Sequence, residues 1–158
     1  MPALLEPRRP VRAILVGWLL TTIPALLLSF LVQTLLPEAA GPSFQMNGWS
    51  TIAVLVVFAP LVETLIMAAV LEVLLLALPP RFAIAASSLG WGMAHSLTAW
   101  AWGLVIWWPF LIFSTLYVTW RGWGRESGRG QGQLMAIGIV FAVHALNNLG
   151  PALLLLAS

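Results

Sequence analysis

Four side chains in this sequence combine chemistry with an expensive location. Glu63, His95, His144 and Asn148 each fall inside a long apolar run, where ionisable and amide groups are costly and usually functional. His144 and Asn148 are four positions apart, so they share one face of a helix. A carboxylate with two imidazoles supports two forms of hydrolysis. In the first, Glu63 is a general base that takes a proton from water, and the water attacks a peptide carbonyl. A histidine and Asn148 then donate hydrogen bonds to the developing oxyanion, and no cofactor is needed. In the second, Glu63, His95 and His144 hold Zn²⁺, and the metal activates the water. The sequence has no His-Glu-x-x-His spacing and no serine in a nucleophile-elbow pattern, which argues against a serine mechanism. Cysteine is absent, so thiolate nucleophiles, disulfides and Cys-ligated zinc are excluded.

Taken singly, each group has an ordinary explanation. An intramembrane histidine can hydrogen-bond a neighbouring helix, a glutamate can pack in its protonated form, and Asn147 and Asn148 can hold helices together. Their depths argue for more. With about 1.5 Å of rise per residue, Glu63 lies about 18 Å from the start of its run, His95 about 20 Å, His144 about 15 Å and Asn148 about 21 Å. In a hydrocarbon core about 30 Å thick, polar groups from three helices share one slab near mid-membrane. Glu72 is excluded from that set. It follows Glu63 by nine residues, about 180° round the helix, and lies nearer the end of its run.

The elements that must position these groups follow from composition. The chain has 158 residues, 61% hydrophobic and only 8% charged. A soluble domain carries about a quarter charged residues. A soluble enzyme, a disordered tail and a nucleic-acid-binding module are therefore excluded. The expected fold is all-α, a single polytopic transmembrane bundle over residues 1–158. Apolar runs of about 20 residues place five spans at 11–36, 51–78, 82–100, 103–120 and 134–157. The first run exceeds the apolar core of a signal peptide and reads as a retained span. The third is rich in small residues, from Ala83 to Ala94. Such residues allow close helix approach, which suggests a central position in the bundle.

The charges supply an independent check on this topology. The seven basic residues are all arginines. Arg8 and Arg9 precede the first span with Arg12 at its very start, Arg81 separates the second from the third, and Arg121, Arg125 and Arg129 separate the fourth from the fifth. With five spans all fall on one side, which the positive-inside rule makes cytoplasmic along with the N-terminus. Glu38 lies on the other side, and Glu6 and Glu126 also lie in aqueous segments. The glycine-rich stretch 124–132 reads as a cytoplasmic loop. Trp49, Trp100 and Trp102 on one side, and Trp120 and Trp123 on the other, fit interfacial belts. Trp107 and Trp108 fall on the fourth span, facing lipid or a neighbouring helix.

The constellation resembles the CPBP intramembrane proteases, a family that includes type II CAAX prenyl endopeptidases and bacteriocin-processing or self-immunity proteins. Ala59-Pro60-Leu61-Val62-Glu63-Thr64-Leu65-Ile66-Met67-Ala68 fits the frame of the family's Ala-Pro-x-x-Glu-Glu-x-x-x-Arg motif. Trp91-Gly92-Met93-Ala94-His95 fits Phe-x-x-x-His with another aromatic residue in the first place. His144-Ala145-Leu146-Asn147-Asn148 fits His-x-x-x-Asn directly. Order and spacing agree over residues 51–150. Thr64 stands where the family has its second Glu, and Ala68 where it has Arg.

The resemblance implies an intramembrane endopeptidase in which Glu63 with His95 activates water, while His144 and Asn148 form the oxyanion hole without metal. Its implied partners are membrane lipids and a membrane-associated or lipidated peptide reaching the site from the bilayer. Its implied location is a bacterial inner membrane. Two other functions compete. Thr64 and Ala68 suit an inactive family member acting as a membrane scaffold, chaperone or immunity protein. A small proton or solute translocator could use Glu63 and the histidines as a relay, although the sequence shows no inverted repeat.

Overall fold

A computed structural model describes residues 9–39, 41–42, 48–126 and 132–157. Glu6, Arg8, Arg129 and the central part of the expected cytoplasmic loop lie outside the described residues. The chain forms five helical segments and no strand among those residues. They are α1 (Pro10–Leu35), α2 (Trp49–Ala77), α3 (Pro80–Ser96), α4 (Gly103–Glu126) and α5 (Gly132–Ala157). Helices α1, α2, α4 and α5 are each long and apolar enough to cross a membrane.

Proline sets two of the helix starts. Pro10 and Pro80 open α1 and α3, where a missing N–H leaves no helical bond unmade. Leu78, before Pro79, is extended (φ −119°, ψ 142°), as the proline ring requires of its predecessor, and α2 stops there. The expected span 82–100 is shorter than its apolar run suggests. Helix α3 has 17 residues and ends at Ser96, and residues 97–102 turn back into α4.

The helix at the centre is α4 rather than the small-residue α3. Helix α4 packs on all four others. Phe110, Phe113, Leu116, Tyr117 and Trp120 along it are all buried. Helix α3 buries only one stripe, Ala83, Ser87, Ser88 and Gly92, against α4, and leaves Phe82, Leu89 and Met93 exposed. Its small residues permit close approach to one neighbour, which does not require a central place. Ser114 Oγ on α4 donates to Ser87 Oγ on α3 at 3.1 Å. Trp120 also departs from the interfacial expectation. It is 1% exposed, because neighbours surround α4, and its ring meets Trp123 at 5.9 Å.

The closest approach lies at Gly103. A Cβ there would overlap Ser96 Oγ and the Gly92 carbonyl. Gly103→Ala is expected to force α3 and α4 apart and to cost about 1–3 kcal/mol, the range for overpacking. A lowered thermal midpoint in detergent would register this, and an unchanged midpoint would contradict it. On α1 a second small stripe, Ala13, Gly17 and Thr21, faces inward. Leu15, Leu19, Ile23, Leu26 and Phe30 face outward and are exposed. Outward apolar side chains of this kind are the surface a bilayer requires.

Candidate functional site

The four residues singled out in the sequence line one cavity of about 140 Å³, together with Leu55, Ala59, Trp102, Ile106, Pro109, Phe110, Phe113 and Asn147. Glu63 comes from α2, His95 from the end of α3, and His144 and Asn148 from α5. Glu63 Oε2 lies 3.4 Å from His144 Nε2, with side chains 26% and 5% exposed. This is slightly longer than an ordinary N–H···O bond, a spacing common in catalytic pairs before substrate arrives. His144 Nδ1 is buried without a partner.

Aromatic rings fix both imidazoles. Phe110 stands 5.6 Å from His95 and 5.6 Å from His144. Phe113 lies 4.6 Å from His144, and Trp102 meets His95 edge-on at 4.7 Å. Trp91 stacks on Phe110 at 4.4 Å. His95 Nδ1 lies 2.8 Å from the Trp91 carbonyl. A carbonyl only accepts, so Nδ1 carries the proton and Nε2 of the neutral ring is left as an acceptor. The imidazole within 3.4 Å of the carboxylate is His144, and His95 lines the same cavity.

Asn148 is held by a proline effect. The stretch Ala53–Phe58 is π-helical, and the Ala59 N–H reaches back to the Val54 carbonyl. The next residue is Pro60, which has no N–H. The Leu55 carbonyl thus has no donor within α2, and Asn148 Nδ2 donates to it across the interface at 3.0 Å. One hydrogen of that amide remains for another acceptor. Pro24 acts alike: it frees the Leu20 carbonyl, to which Trp108 Nε1 donates at 2.8 Å. In both places a neighbouring helix satisfies a backbone group freed by proline, as an apolar environment demands. Asn147 is fixed separately, its Oδ1 accepting from Thr22 Oγ1 at 3.1 Å.

The expected zinc alternative does not fit this arrangement. No three His, Cys, Asp or Glu side chains among the described residues gather closely enough to hold a metal ion. His95 also spends one ring nitrogen on its own helix. Thr64 and Ala68, at the family's Glu and Arg positions, are buried, and Thr64 Oγ1 has no partner.

Sequence reasoning missed one polar cluster. The sequence places Glu72 near the end of one span and Arg121 just past the end of another, and the structure joins them: Arg121 Nε and Nη2 donate to the two Glu72 carboxylate oxygens. Tyr117 Oη donates to Oε1 at 2.8 Å. The side chains of Arg121 and Glu72 are 14% and 29% exposed. Helix α4 runs on to Glu126, past the expected end at residue 120, so Arg121 stays in the bundle. The available signal was one acid and one arginine at matching ends of adjacent spans.

No family model, curated protein or solved structure matches this chain. The fold and the cavity define its class: an all-α, multi-pass membrane protein with a cavity among its helices into which Glu63, His95, His144 and Asn148 bring polar groups.

Proposed function

We propose that the protein is an intramembrane endopeptidase, a divergent relative of the CPBP proteases, that uses a water activated by Glu63. The observation that carries this reading is the meeting of Glu63, His95, His144 and Asn148, from three helices, at one cavity. Glu63 takes a proton from a water in the cavity, and the water oxygen attacks the carbonyl carbon of a peptide. His95 Nε2 accepts the water's other hydrogen and orients it. His144 Nε2 and the remaining Asn148 N–H donate to the oxyanion. As the C–N bond breaks, protonated Glu63 returns its proton to the leaving amine. The arginine distribution supports a cytoplasmic N-terminus in a bacterial inner membrane. The substrate is a membrane-associated or lipidated polypeptide.

The test is cleavage of a quenched fluorescent apolar peptide by the protein in liposomes. Turnover is expected to persist after exhaustive chelation. His144→Ala, which removes both the contact to Glu63 and an oxyanion donor, is expected to lower it at least about 100-fold. Full activity in His144→Ala, or loss on chelation, would reject this mechanism. A second reading, an inactive scaffold, is favoured by Thr64 and Ala68. It predicts no turnover in any variant and a cellular phenotype that survives the loss of Glu63.

A further inference from the structure

Beside the polar cavity lies a larger one of about 280 Å³, bounded by α1, α4, α5 and Leu55 of α2. Leu55, Trp102, Ile106, Pro109, Asn147 and Asn148 line both, so the two are contiguous. For scale, an apolar cavity of about 150 Å³ holds a benzene ring. Its wall is mostly apolar, and its polar side chains are engaged. Thr22 donates to Asn147, Asn148 to Leu55, and Gln33 to Ser29.

The backbone of this wall carries the chemistry. Pro109 lies inside α4 and Pro151 inside α5. Each lacks the N–H that would bond the carbonyl four residues earlier, which belongs to Val105 and Asn147. A proline and the residue four before it share one helix face, and here both members of both pairs line the larger cavity. The carbonyls freed by Pro24 and Pro60 receive Trp108 and Asn148. Among the described residues no side chain donates to Val105 O or Asn147 O. Two acceptors thus border an apolar cavity that adjoins the site of hydrolysis.

We infer that the larger cavity is a subsite for an extended apolar polypeptide, whose backbone N–H groups donate to the carbonyls of Val105 and Asn147 while an apolar side chain fills the space. An extended strand suits it because alternate residues present N–H groups on one side and side chains alternate between faces. A lipid chain fills the volume but brings no donor, leaving both carbonyls unpaired. The subsite's place beside a scissile bond rests on the peptidase reading; the binding itself does not.

The test uses the full chain carrying Glu63→Gln in nanodiscs, so that binding is read without hydrolysis. The probe is a fluorescent blocked peptide, acetyl-Leu-Leu-Phe-Leu-Leu-amide, with a series in which each N–H in turn is replaced by N-methyl. N-methylation at one or two positions is expected to weaken binding about tenfold, the loss of one hydrogen bond, with little change elsewhere. Pro151→Ala restores a helical donor to Asn147 O, and Pro109→Ala restores one to Val105 O. Each is expected to weaken the parent peptide about tenfold and to erase discrimination at one position. Failure of the parent to bind, equal binding of all N-methyl peptides, or unchanged affinity in both proline variants would overturn the subsite. So would myristate displacing the peptide with no sensitivity to either proline variant, which marks a lipid site. If the N-methyl pattern appears but wild type hydrolyses none of these peptides, the subsite stands and the peptidase reading falls.

Discussion

Glu63→Gln is expected to lower peptide hydrolysis by about 10²–10⁴-fold, the usual contribution of a general base, while leaving the bundle folded. The amide has nearly the volume of the carboxylate, so the cavity keeps its shape and the His144 contact at 3.4 Å can persist. What is lost is the lone pair that removes the water's proton. The effect should be large because, among the described residues, Glu63 is the one acid that lines the cavity. His95 retains an acceptor nitrogen, but a neutral imidazole without a carboxylate beside it is a poor substitute. Turnover in liposomes and a thermal unfolding trace read the two halves of the expectation. Normal turnover in the variant would sink the hydrolytic assignment. A variant that loses pH-dependent flux instead of cleavage would identify a proton relay.

Glu72→Ala is expected to cost about 1–3 kcal/mol of stability, the range for leaving one partner of a partly buried hydrogen-bonded pair unsatisfied, and to have little direct effect on chemistry. The change strands the Arg121 guanidinium, which is mostly enclosed by the bundle, and removes the acceptor of Tyr117. The asymmetry is the point of the test. Removing both charges with Glu72→Met and Arg121→Met together should recover much of the loss, since an apolar pair of similar volume often replaces a buried ion pair without penalty. Chemical denaturation in mixed micelles reads all three variants. If the double variant is as unstable as the single, the pair does more than neutralise its own desolvation.

The two expectations mark what was legible in the sequence. The slab of polar groups could be found because apolar runs of known rise convert residue number into depth, and His144 with Asn148 needed only helical periodicity. Composition alone identified the helical bundle, and four of the observed helices have the length and apolarity of membrane spans. Hydropathy fixes how deep a residue lies and says little about which neighbour it meets. The small-residue run therefore read as central, although α4 holds that place through Phe110, Phe113 and Tyr117. For the same reason the charge pattern put Arg121 just past the end of the fourth span and missed its partner Glu72. The resemblance to a known motif gave Glu63 and His95 a shared water, and the motif carried no sign that His144 Nε2 would lie 3.4 Å from the carboxylate. Prolines 24, 60, 109 and 151 were visible throughout. Which carbonyls they release follows from covalent structure, but which donors answer is a tertiary fact.

The shortness of α3 bears on how water reaches a site surrounded by hydrocarbon. Its 17 residues rise about 26 Å, a few ångströms less than a typical hydrocarbon core of about 30 Å. A bilayer meets a short helix by thinning around it, and Leu89 and Met93 are exposed apolar residues on α3. His95 is its penultimate residue. Where α3 spans a bilayer, such thinning would fall beside the wall of the cavity that holds His95, next to the turn at 97–102. Bilayer thickness would then control hydration: thicker membranes would deepen the mismatch at α3, and thinner ones would relieve it.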